Sequence, residues 1–117
     1  MAKILIIDDS SFQRKILREI LESESHSVIE ASDGEKGLEM IIDQKPDLIL
    51  LDQAMPGTTG YELLAKIKEK GIRIPTIMVS ADIQHGSRQK SLDSGAKAFI
   101  EKPVDENILK KLIQEFC

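Results

Sequence analysis

Large apolar residues along the chain fall into short unbroken runs, and the segments between them carry apolar residues at helical spacing. Ile4-Leu5-Ile6-Ile7 and Leu48-Ile49-Leu50-Leu51 are uninterrupted, which suits strands buried on both faces of a parallel sheet. Pro75–Val79 is a third, mostly apolar run. Ser27–Ala31, which contains Glu30, and the short Lys97–Ile100 are more mixed and suit sheet edges. Each strand is followed by a helix signal. Ser10 with Gln13 forms a capping box ahead of a stripe of Phe12, Ile16, Leu17, Ile20 and Leu21. Ser32 with Glu35 repeats that box before a helix over about 35–44, which stops ahead of Pro46 because the residue before proline disfavours helix. Thr59 with Glu62 opens a helix that turns Leu63, Leu64 and Ile67 inward and ends at Gly71, a C′ glycine. A polar helix over 83–94 contains Gly86 and ends at Gly95. Asp105 caps the last helix, whose stripe is Ile108, Leu109, Leu112, Ile113 and Phe116.

Five alternations of strand and helix predict an α/β fold, a doubly wound parallel sheet covered on both faces. Crossovers are expected to be right-handed. The most apolar strands belong in the centre and the mixed second and fifth at the edges, which matches the order 2-1-3-4-5. At 117 residues the chain reads as one domain, 1–117. Its net charge of −4 gives nucleic-acid binding no electrostatic support, and Lys66, Lys68 and Lys70 look like the solvated end of a helix. The single cysteine, Cys117, rules out an intrachain disulfide and fits a reducing compartment. No apolar run approaches a signal-peptide core or the roughly 20 residues of a membrane span, so the expected location is the cytoplasm.

Candidate chemistry lies where the strands end. In a parallel sheet all carboxyl ends face one way, and that rim is where ligands bind in open α/β folds. Asp8 and Asp9 close the first strand, Asp52 the third and Ser80 the fourth, and Lys102 follows the fifth. Taken singly, each suits a polar turn or a solvated side chain; together, all five fall at one rim. Two like charges about 4 Å apart repel by about 4 kcal/mol at an effective dielectric of about 20. Such a cluster needs raised pKa values or a cation. Hard oxygen donors beside a lysine and a hydroxyl point to Mg²⁺ and a phosphoryl group. His26 and His85 read as solvated, and no His or Cys group has metal-ligand spacing.

These motifs resemble, in order and along the whole chain, the receiver domain of two-component response regulators, which has the flavodoxin-like topology. Asp8-Asp9 looks like its acidic pair and Asp52, in Leu51-Asp52-Gln53-Ala54-Met55-Pro56-Gly57, its phosphoacceptor. Ser80-Ala81 looks like its switch hydroxyl, Lys102-Pro103 its Lys-Pro pair, and Gly60 the glycine opening its third helix. The segment 8–15 and the lack of an output domain resemble the stand-alone chemotaxis type.

The resemblance implies a signalling switch whose only catalysis is phosphoryl transfer to, and hydrolysis from, its own Asp52. The donor would be a sensor histidine kinase or small phosphodonor. Mg²⁺ would sit on Asp9, Asp52 and the Ala54 backbone carbonyl, with Asp8 reached through water. Lys102 would pair with a phosphoryl oxygen, Ser80 would donate to another, Phe99 would follow Ser80, and the bond before Pro103 would be cis. Output to an unidentified target protein would use the fourth helix, fifth strand and fifth helix, a face including Gln84, His85, Arg88, Gln89 and Lys90.

Phe99 lacks a tyrosine hydroxyl and is expected to sit inward. Ala54 departs from the larger or polar residue often found two positions after the phosphoacceptor, which leaves Asp82 to orient attacking water. Three rival readings are weaker. A haloacid-dehalogenase-like phosphatase needs a second Asp where Ala54 stands. A flavin or nucleotide module needs a glycine- or hydroxyl-rich loop in place of Asp8-Asp9. A phosphorylation-independent receiver-like scaffold is at odds with the intact set of five.

Overall fold

Alternation in the buried runs decides the architecture. The computed structural model describes residues 1–81 and 86–117. Its strands are β1 (Lys3–Ile7), β2 (Ser27–Ala31), β3 (Leu48–Asp52), β4 (Thr76–Ser80) and β5 (Ala98–Glu101). The helices are α1 (Ser11–Ser23), α2 (Gly34–Gln44), α3 (Gly60–Glu69), α4 (Ser87–Asp93) and α5 (Glu106–Phe116). All strand pairs are parallel, in the order β2-β1-β3-β4-β5, the flavodoxin-like arrangement.

Successive strand residues point to opposite faces, so each run feeds two cores. Leu5, Ile7, Ile49, Leu51 and Met78 pack with Ile41 of α2, Leu63, Leu64 and Ile67 of α3, and Phe99. Ile4, Ile6, Leu48, Leu50, Ile77 and Ile100 pack with Leu17 and Leu21 of α1 and Leu109 and Ile113 of α5. Every residue of β3 is buried, and each large side chain removed from water there stabilises the fold by about 1.5–3 kcal/mol. Asp52 therefore stands at the end of the most enclosed strand.

The helix caps follow the sequence with one correction. The Ser10 hydroxyl accepts from Gln13 N, the Thr59 hydroxyl from Glu62 N, and the Asp105 carboxylate from both Asn107 N and Ile108 N. At α2 the cap is Asp33, not Ser32: the Asp33 carboxylate accepts from Lys36 N at 2.8 Å. Gly71 and Gly95 take the left-handed conformation after α3 and α4. The fourth helix begins at Ser87 with Gly86 as its N-cap; the start expected at residue 83 lies outside the described residues.

Two members of the expected apolar stripes face solvent. Phe12 is 72% exposed and Ile108 52%. Each lies in the first turn of its helix, at the end of the sheet where the apolar layer gives way to the polar rim. His26 is also not simply solvated: it is half-buried, and its Nδ1 accepts from Ala2 N at 3.0 Å. Among the described residues, no helix is long and apolar enough to cross a membrane.

Candidate functional site

The carboxyl rim brings the predicted residues together. Register places Ile7 beside Leu51 and Asp52 beside Val79, so the ends of β1, β3 and β4 lie side by side. Asp8 and Asp52 are buried while Asp9 is exposed. One carboxylate oxygen from each of the three lies within 4.8 Å of the others. Lys102 bridges the two buried acids, its Nζ donating to Asp8 Oδ2 at 3.2 Å and to Asp52 Oδ1 at 3.4 Å. The lysine is delivered from the end of β5, where Lys102 N donates to Ser80 O and the Lys102–Pro103 peptide is cis.

Local hydrogen bonds fix the acids. Asp8 Oδ1 accepts from Ser10 N at 2.9 Å, and its backbone carbonyl accepts from Arg14 Nη1 at 2.6 Å. Arg14 is held in turn by Glu30, which also accepts from Arg18. In the sequence Glu30 marks only an edge strand; its pairing with both arginines comes from the fold. Asp52 Oδ1 accepts from Ala54 N at 3.3 Å. Gly60 lets α3 start against the exit of β3: its N–H donates to Gln53 O at 3.0 Å. A Cβ there would lie 2.7 Å from Asp52 O and 2.8 Å from Gln53 Cα, both backbone atoms that cannot move aside cheaply.

Electrostatically, Asp52 is the strained member. Burial, and then the like charge of Asp8, push its carboxyl from 3.8 up to about 6, against the opposing pull of Lys102 and the Ala54 N–H. One ammonium shared between two buried carboxylates does not fully offset the desolvation of Asp52. The donor set is all oxygen, closely spaced and short of positive charge, which fits a hard divalent cation.

Ser80 is fully buried, and its hydroxyl donates to Gln53 Oε1 at 3.2 Å. Gln53 escaped sequence reasoning, since nothing local marks it: the contact depends on which strand lies beside β3. Phe99 is inward, 5% exposed, with the Arg88 guanidinium 5.5 Å from its ring centroid. Ala54 is exposed. Asp82, Gln84 and His85 lie outside the described residues.

Comparison with known proteins identifies the family and the fold. The family model for the response regulator receiver domain matches residues 4–114. Protein PilH of Pseudomonas aeruginosa is 35% identical over 115 residues, covering 97% of this chain and 95% of PilH. The chemotaxis protein CheY of Halobacterium salinarum is 39% identical over 107 residues, covering 91% of this chain and 89% of that protein. Among solved structures, the receiver domain of the Francisella response regulator 1452 has a TM-score of 0.94 at 25% identity, covering 99% of this chain and 96% of its own. Vibrio cholerae chemotaxis protein CheY4 has a TM-score of 0.91 at 27% identity, covering 100% of this chain and 99% of its own.

Proposed function

The chain belongs to the response regulator receiver domain family, and from that premise we propose that it is a phosphorylation-dependent two-component switch with Asp52 as phosphoacceptor. The observation that carries this reading is the Lys102 ammonium placed between Asp8 and Asp52 at the buried end of β3. A carboxylate there is held rigidly, and a cation beside it is ready to receive the charge of a phosphoryl group.

In the transfer, an Asp52 carboxylate oxygen attacks the phosphorus of a phosphohistidine on a sensor histidine kinase, or of a small acyl phosphate. The O–P bond forms, the bond from phosphorus to the leaving group breaks, and the leaving group departs with that electron pair. Lys102 acts as a point charge on a phosphoryl oxygen. Ser80 donates to another, and Phe99 follows the movement of that hydroxyl. Asp9, Asp52 and the Ala54 backbone carbonyl would hold Mg²⁺, with Asp8 reached through water. When bound, the ion neutralises charge on the transferring group and on the acids.

As a receiver domain, the molecule is a signalling switch and not a classical enzyme; its catalysis is confined to loading and hydrolysis of its own Asp52. Ala54 neither blocks nor orients an attacking water. The message would pass to a target protein through α4, β5 and α5, where Arg88, Gln89 and Lys90 are exposed. Loading by a sensor histidine kinase would place this switch in the cytoplasm.

The test is incubation with acetyl phosphate and Mg²⁺ followed by intact-mass measurement. Wild type is expected to gain a single phosphoryl group and Asp52→Asn none. An equal gain by Asp52→Asn would overturn the assignment.

A further inference from the structure

Gln53 follows the phosphoacceptor directly, yet its side chain is engaged with the fourth strand. Its Oε1 accepts from Ser80 Oγ at 3.2 Å across 27 residues of sequence. The backbone leaves the residue little freedom: Gln53 N donates to Val79 O at 3.0 Å, and Gln53 O accepts from Gly60 N at 3.0 Å. The close seat of Gly60 on Gln53 Cα locks the same segment from the α3 side. Ser80 is fully buried, so water does not compete freely for its hydroxyl.

A serine hydroxyl has one hydrogen to donate. A phosphoryl group on Asp52 offers oxygens that only accept. While the Ser80 hydroxyl donates to Gln53 it cannot donate to phosphate, so the amide and the phosphoryl group compete for the same hydrogen. We propose that Gln53 is a positioning residue: a latch that holds the Ser80 hydroxyl in its resting hydrogen bond and so sets how readily the switch turns over on phosphorylation. The inference rests on the reading of Asp52 as phosphoacceptor and deepens it, by assigning regulation of that site to a side chain of this chain. A ligand moves a conformational equilibrium only by its preference for one state. Weakening the resting state therefore raises the apparent stability of the phosphorylated one.

The experiment is a double-mutant cycle on Gln53→Met, close to glutamine in shape but without the amide oxygen, and Ser80→Ala. The ratio of phosphorylated to free protein at steady state in acetyl phosphate and Mg²⁺ is read by intact mass. The amide spectrum of the unphosphorylated proteins supplies a second, metal-free reading. Gln53→Met is expected to raise the ratio about 2- to 10-fold, the range set by one ordinary hydrogen bond. It should also move the Ser80 amide resonance toward its position in phosphorylated wild type. In the Ser80→Ala background the same substitution is expected to leave the ratio unchanged. Gln53→Ala, which cannot crowd the site, should show the same coupling if the methionine variant folds poorly.

An unchanged ratio in Gln53→Met and Gln53→Ala overturns the latch, as does an effect of equal size with and without the Ser80 hydroxyl. Absence of any phosphoryl gain in wild type is a different result, which overturns the reading of Asp52 and the latch with it.

Discussion

Replacing Asp52 by asparagine should make the metal-free protein more stable at neutral pH, even though it removes the residue proposed to accept the phosphoryl group. Burial and the charge of Asp8 raise the Asp52 carboxyl from 3.8 to about 6. The folded state thus prefers the protonated acid. That contribution to stability is fully present below about pH 4 and is lost as the pH climbs through about 6. The difference of about 2 units corresponds to about 3 kcal/mol at most, against a total of roughly 6–18 kcal/mol for a domain of this size. Asparagine cannot ionise but can still accept from Ala54 N, and Lys102 keeps Asp8 as a partner.

Urea unfolding of wild type and Asp52→Asn in chelator, from pH 4 to 8, measures this directly. The variant's advantage is expected to grow by up to about 1.4 kcal/mol per pH unit between pH 4 and 6 and to level off above pH 7. Mg²⁺ at ten times its dissociation constant should then return about 1.4 kcal/mol to wild type and much less to the variant. A pH-independent difference, or a wild type more stable than the variant at pH 8 without metal, would refute the electrostatic reasoning. Equal stabilisation of both proteins by Mg²⁺ would refute the placement of the ion at Asp52.

Other consequences are equally open to measurement. Lys102→Gln leaves two buried carboxylates without their ammonium; it is expected to lower stability at pH 8 by about 1–3 kcal/mol and to slow phosphorylation by acetyl phosphate. Unchanged urea midpoints and rates would count against the bridge. Gly60→Ala puts a methyl group against Asp52 O and Gln53 Cα and should cost about 1–3 kcal/mol by forcing β3 and α3 apart, as read by thermal unfolding. Asp33→Ala should cost about 1 kcal/mol through loss of the α2 cap, and Ser32→Ala clearly less; the reverse ranking in denaturant melts would restore Ser32 as the cap.

The strands were legible because continuous apolar runs of this length have few other uses. The order of the sheet followed from which runs were mixed, since only edges tolerate a residue such as Glu30. Caps at Ser10, Thr59 and Asp105 were legible because a cap is a contact across three residues. The choice between Ser32 and Asp33 was not, as two adjacent side chains compete and only the path of the backbone selects one. Phe12 and Ile108 were misplaced for a different reason. Helical spacing assigns a face, but it does not say where along the helix the sheet beneath it ends.

The candidate site divides the same way. Sequence alone determined which residues stand at strand ends, because those positions follow from local periodicity: Asp8, Asp9, Asp52, Ser80 and Lys102. Only the tertiary structure decided who touches whom. Lys102 reaches Asp8 across 94 residues and Asp52 across 50, and Ser80 donates to Gln53 through the β3–β4 neighbourhood. The depth of burial that strains Asp52 likewise arises from both cores closing around β3. Periodicity and capping are properties of a few neighbouring residues, whereas desolvation and charge pairing depend on distances that exist only once the sheet has assembled.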